Sequence, residues 1–242
     1  YISLLFFFNI IILFSQSTDT PHGPAVDSKI ITNSAIPQNL LSSNIKILET
    51  YDNVQGSPYI SNYAGVGKNI PLGKVYDQQM KLIGTAFIIY NAYTDEMEIS
   101  AIEDSINFYR FKKQSNSYYI KLYNKLYRAY VSDYQLNYFV ILSANDRQKC
   151  TLLRKEKVLF IKSNEQTVSL VKEEPSSFRR IKDSYYLKIN DLVYKIPSGK
   201  KNFYTLFKEK SALIKSYVKQ NNLKISSEED LRSIVDYFNT IK

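Results

Sequence analysis

Ser117-Tyr118-Tyr119-Ile120-Lys121-Leu122-Tyr123-Asn124-Lys125-Leu126-Tyr127-Arg128 alternates side-chain types with a period of two on both sides of a polar pair. Successive residues of a strand point to opposite faces, so Tyr118, Ile120 and Leu122 fall on one side and Tyr119, Lys121 and Tyr123 on the other. Asn tolerates the positive backbone angles of tight turns, and a hairpin turning at Asn124-Lys125 follows. The return strand adds Arg128 and Tyr130 to the polar side. The pattern recurs 67 residues later. Phe178 to Pro197 aligns without gaps to Phe111 to Tyr130, with 6 positions identical and 8 close replacements among 20. Here Tyr185, Leu187 and Ile189 oppose Tyr186 and Lys188, the turn falls at Asn190-Asp191, and Lys195 joins the polar side. The reading is a duplicated hairpin with one aliphatic face and one face of Tyr and Lys/Arg that looks outward.

Working outward, short strand patterns run from Ile45 to Ile196. They are expected at Ile45–Thr50, Phe87–Tyr90, Glu96–Ala101, Tyr118–Tyr123, Leu126–Val131, Gln135–Leu142, Val158–Lys162, Val168–Lys172, Tyr185–Ile189 and Leu192–Ile196. After Pro197-Ser198-Gly199 the period changes. Phe203, Leu206, Phe207, Leu213, Ile214, Tyr217 and Val218 follow helical spacing up to Asn221-Asn222. A second helix is expected from a capping box of Ser226 and Glu229, with Leu231, Ile234, Val235, Phe238 and Ile241 on one stripe. The fold class is therefore α+β and mostly β: an antiparallel twisted sheet or open barrel built from repeated hairpins, with two C-terminal amphipathic helices packed on it.

At the N-terminus, Ile2 to Phe14 is an apolar run broken only by Ser3 and Asn9, followed by Ser15-Gln16-Ser17-Thr18. That matches the core and cleavage region of a secretory signal, and it falls short of the roughly 20 apolar residues a membrane span needs. Expected domains are a cleaved signal at 1–17, a mobile lead-in at 18–44 rich in Pro, Ser and Asn, the β domain at 45–199 and a helical hairpin at 200–242.

Composition excludes several chemistries. The 242 residues include 21 Tyr and no Trp, one His and one Cys. No internal disulfide, two-His zinc site or Cys-x-x-Cys pair can form within one chain. His22 lies in the lead-in, away from any Ser or Cys nucleophile of the fold. No phosphate loop or dinucleotide fingerprint is present, and no motif calls for a cofactor or a metal. Cys150 reads as a small buried hydrophobe.

The net charge of +9 is uneven, with 5 Lys/Arg and 8 Asp/Glu in residues 1–100 against 27 and 15 in 101–242. A basic face rich in Tyr can hold anionic groups, and the candidate binding residues are Tyr119, Lys121, Arg128, Tyr186, Lys188 and Lys195. Export directs the expectation to an anionic envelope glycan, a lipid head group or an acidic protein surface, and not to nucleic acid. The leading expectation is a non-catalytic binding or interaction protein of the cell envelope. A carrier of an apolar ligand in the concavity of the sheet comes second, and a carboxylate hydrolase using Asp95, Glu96 or Glu98 third.

Gly56-Ser57-Pro58-Tyr59, the stretch from Gly73-Lys74-Val75 to Tyr90–Glu98, and the terminal segments Tyr217–Asn221 and Asp236–Asn239 resemble uncharacterised secreted proteins common in the Bacteroidota. The resemblance spans about 45–242. It implies a periplasmic or cell-surface location and carries over no active-site residue.

Overall fold

The computed structural model describes residues 36–47, 54–60, 70–100, 107–163 and 175–241. The signal-like run, the lead-in before Ile36 and the strand expected at Val168–Lys172 lie outside them. In chain order the strands are β1 (Leu41–Ile47), β2 (Leu72–Tyr76), β3 (Leu82–Asn91), β4 (Glu96–Ser100), β5 (Asn107–Phe111), β6 (Tyr119–Leu122) and β7 (Lys125–Ser132). They continue with β8 (Gln135–Ile141), β9 (Cys150–Lys155), β10 (Val158–Ile161), β11 (Ser177–Arg180), β12 (Ser184–Ile189) and β13 (Leu192–Lys195). Eleven of them form one open antiparallel sheet in the order β1-β5-β4-β3-β2-β6-β7-β8-β9-β12-β13, and β10 pairs with β11 apart from it. β13 returns to the neighbourhood of β7, so this end of the sheet curls without closing.

Both quoted stretches fold as hairpins in one register. Tyr119 faces Arg128 and Leu122 faces Lys125 across β6–β7; Tyr186 faces Lys195 and Ile189 faces Leu192 across β12–β13. Every partner in the second hairpin is its counterpart in the first plus 67. The first turn lies one residue earlier than expected, at Tyr123-Asn124, because Lys125 already pairs with Leu122. Tyr123 there takes φ 53°, and the second turn places Asn190 at 49° and Asp191 at 65°. Two-residue hairpins need such left-handed angles because their twist then matches that of the strands.

The aliphatic face behaves as alternation predicts. Ile120, Leu122, Tyr127, Leu187 and Ile189 enter the main core, with Leu152 of β9. The opposite face does not. Tyr119 and Tyr130 are each 2% exposed and Tyr186 is 8% exposed, packed with Phe139, Ile141 and Leu153 into a second core. The tyrosines Tyr119, Tyr130 and Tyr186 of this side are thus covered rather than solvated, while Lys121, Tyr123 and Lys195 stay exposed. Burial of this second layer adds about 1.5–3 kcal/mol for each large apolar side chain.

The lead-in boundary also shifts. Gln38–Leu40 forms a 3-10 turn, β1 begins at Leu41 rather than Ile45, and Ile36, Leu40 and Leu41 are buried in the main core. Three helices replace the expected two: α1 (Lys200–Thr205), α2 (Ser211–Gln220) and α3 (Glu228–Thr240). The first break has a backbone cause. Lys208 adopts φ 47°, within a 3-10 turn at Lys208–Lys210 that separates α1 from α2. α3 is capped by Ser227 rather than Ser226, its side chain accepting from the Asp230 N–H at 3.3 Å, while Glu228, Glu229 and Asp230 meet the positive end of the dipole. Phe203, Phe207, Ile214, Val218, Leu231 and Ile234 fill the aliphatic side of the curled sheet. Among the described residues no helix is long and apolar enough to cross a membrane.

Candidate functional site

The two hairpins and the loop between β8 and β9 enclose a polar cleft of about 660 Å³. The twelve described residues lining it are all polar. Arg128 on β7, Arg147 and Lys149 on the β8–β9 loop and Lys188 on β12 bring four cations; Asp146 and Asp191 bring two carboxylates. Carboxamides from Gln78, Gln79, Asn116, Gln148 and Asn190 complete the walls.

Asp146 organises the floor. Its carboxylate accepts from the Tyr119 and Tyr130 hydroxyls, each at 2.5 Å, and from Arg128 Nη1. Arg128 Nη1 also donates to the Tyr119 hydroxyl at 2.7 Å, and Nη2 donates to the Asn116 carbonyl. The guanidinium lies 4.2 Å from the Tyr119 ring centre, where the negative ring face attracts it. Burial pushes the Asp146 carboxyl up, but the bonds from Tyr119, Tyr130 and Arg128 outweigh it and hold the carboxyl below its ordinary value. Burial and then Asp146 raise both tyrosine hydroxyls, which therefore stay protonated as donors.

Arg128 is thus committed to the floor, apart from a buried Nε that has no hydrogen-bond partner among the described residues. At the rim, Lys188 Nζ donates to Asp191 at 3.1 Å. Arg147 Nη2 reaches the Gln78 carbonyl at 2.6 Å, and Lys149 Nζ the Ile241 carbonyl at 2.9 Å. Those two partners are neutral, so Arg147 and Lys149 keep charge available to a ligand.

Of the six candidate residues, Tyr119, Arg128 and Lys188 line this cleft. Tyr186 lies buried against Phe139 with ring centres 4.9 Å apart, and Lys121 and Lys195 are exposed outside the cleft. Asp146 escaped sequence reasoning, although it is the one carboxylate between Ala144 and Cys150 in a basic stretch.

The acids considered for hydrolysis hold the framework together. Asp95 accepts from Lys113 Nζ at 2.8 Å, from Tyr90 at 2.6 Å and from Lys155 Nζ. Glu98 is buried and accepts from Tyr59 at 3.0 Å and Asn91 at 3.1 Å, and Glu96 pairs with Arg110 at 3.3 Å. Much of the basic run is likewise spent internally. Arg154 reaches Glu228 at 2.8 Å, Asp183 at 3.4 Å and Glu156 at 3.6 Å. Cys150 is buried, and burial pushes its thiol up to about 12, which removes it as a nucleophile near neutral pH.

Comparison with known proteins finds no family model, no curated protein and no solved structure that matches the chain.

Proposed function

We propose that the protein is an exported, non-catalytic binding protein of the bacterial cell envelope, and that the cleft between its two hairpins receives a short anionic saccharide. The observation that carries this reading is the all-polar lining, with four cations against two carboxylates, one of which is enclosed by Tyr119, Tyr130 and Arg128. Carboxamides both donate to and accept from sugar hydroxyls, while Arg147 and Lys149 supply charge for a sugar carboxylate. A volume near 660 Å³ lies within the roughly 300–1,000 Å³ of small-ligand sites. The apolar run at Ile2–Phe14, ahead of a polar stretch, supports export.

Titration calorimetry with acidic and neutral oligosaccharides of equal length tests the binding. The acidic series is expected to bind, and Arg147→Ala with Lys149→Ala to weaken it about tenfold, the loss of about 1.4 kcal/mol. No heat from the acidic series, or equal binding of both series, refutes the saccharide. Recovery of the tagged protein in the cytoplasm of its native cell refutes export.

A further inference from the structure

A second cleft, of about 760 Å³, opens between α1 and α2. Lys200 and Lys201 line it from the start of α1, Lys215 and Lys219 from one side of α2, and Lys224 from the connection to α3. Among the described residues no carboxylate lines it, and none of these five exposed lysines forms an ion pair with a described residue. The contrast with Arg154, Arg180 and Arg232 is sharp, since each of those meets a carboxylate. Residues 200–224 hold seven lysines and one acid, Glu209.

Such a cleft is electrostatically incomplete. Lys215 and Lys219 stand one turn apart, where like charges repel, and five ammonium groups around one concavity raise the local anion concentration. Lysine is a compact charge with three rotatable donors that binds phosphate as a point charge, and five of them around one concavity match a ligand carrying several phosphate charges. Val218, at 2% exposure, with half-buried Leu223 and Tyr204, adds an apolar wall to the lysine-lined cleft.

We propose that the α1–α2 cleft is a binding site for a ligand carrying two or more phosphate groups or clustered phosphate head groups. The proposal is independent of the saccharide cleft, which lies on the hairpins and the β8–β9 loop. Two probes are applied to the full chain: inorganic tripolyphosphate by calorimetry, and phosphatidylglycerol/phosphatidylcholine vesicles by co-sedimentation, with pure phosphatidylcholine as the neutral reference. Binding is expected to weaken with salt, since the lysines are exposed. The pair Lys215→Ala and Lys219→Ala is expected to lose affinity at least tenfold, whereas Lys215→Arg with Lys219→Arg keeps most of it. Exposed Lys157 and Lys162 lie outside the cleft, and changing both to Ala is expected to leave binding unchanged. Binding of tripolyphosphate without vesicle binding assigns a free phosphate ester; vesicle binding alone assigns a lipid head group. The site is refuted if the wild-type chain binds neither probe, or if the Lys157/Lys162 pair weakens binding as much as the Lys215/Lys219 pair.

Discussion

The hydroxyl of Tyr119 donates to the Asp146 carboxylate at 2.5 Å, which fastens the loop between β8 and β9 onto the β6–β7 hairpin. Arg128 joins the same carboxylate, and the two side chains are only 10% and 2% exposed. Removing one charge of a buried pair leaves the other uncompensated, at a cost of about 3–5 kcal/mol. Asp146→Asn is therefore expected to lose about 3 kcal/mol in urea unfolding, and Tyr119→Phe about 1.5 kcal/mol, as for one hydrogen bond to a charged group. A loss under about 1 kcal/mol for Asp146→Asn contradicts the bracing role of this pair.

Acid should expose the same linkage. Burial raises the Asp146 carboxyl, yet its donors hold it below its ordinary value; Glu228 is likewise lowered, with Arg232 and Arg154 outweighing burial. Unfolded Asp and Glu titrate near roughly 3.9 and 4.3. A carboxyl depressed in the folded state stabilises fully above those values and loses that contribution as pH falls through its folded value. Unfolding midpoints are expected to be flat from pH 7 to 5 with respect to these groups and to fall steeply below about pH 4. The double change Asp146→Asn and Glu228→Gln should flatten the acid limb, and an unchanged slope refutes the assignment.

How much of this was legible depends on what covers each strand. Ile120, Leu122, Leu187 and Ile189 announce a core face because a half-buried hairpin must alternate. Alternation separates two faces but does not say whether the second is covered. Alternation alone therefore places Tyr119, Tyr130 and Tyr186 outward, whereas the loop between β8 and β9 lies over Tyr119 and Tyr130 with Asp146. β9 leaves no such signal because Cys150, Thr151, Leu152 and Leu153 are all buried, and a strand enclosed on both sides has no period of two. β2 was obscured by Gly73, which is weak in strands in general. An added Cβ at Gly73 would meet Ile88 Cδ1 at 2.7 Å, so the glycine reflects close packing. Of the cleft, Tyr119, Arg128 and Lys188 were legible as polar hairpin positions; the carboxamides and Asp146 converge only through tertiary structure.

Gly56 provides a backbone test. It holds φ 80°, and a Cβ there would lie 2.3 Å from the Phe178 carbonyl oxygen, between Gln55 and the segment with which Gln55 exchanges bonds at 2.9 and 2.7 Å. A left-handed angle alone costs an L-residue about 1–2 kcal/mol, and here the added atom meets backbone rather than a flexible tip. Gly56→Ala is expected to cost about 2 kcal/mol or more and lower Tm by about 4–8 °C. A calorimetric shift under about 2 °C contradicts this account.

Phe203 decides whether the helices are an appendage or part of the β domain. It is fully buried, stacks edge-on with Phe207 at 5.2 Å, and Phe207 in turn meets Phe238 at 5.1 Å. The same core contains Leu152 of β9 and Leu187 of β12, so helices and sheet share one hydrophobic unit. Phe203→Ala removes a large ring from that unit, at an expected cost of about 3–5 kcal/mol. Shared packing couples the elements, and the variant is expected to unfold in a single transition at lower urea, with far-ultraviolet dichroism and tyrosine fluorescence coincident. An early loss of helix signal with the sheet intact demonstrates two cooperative units and overturns the coupling.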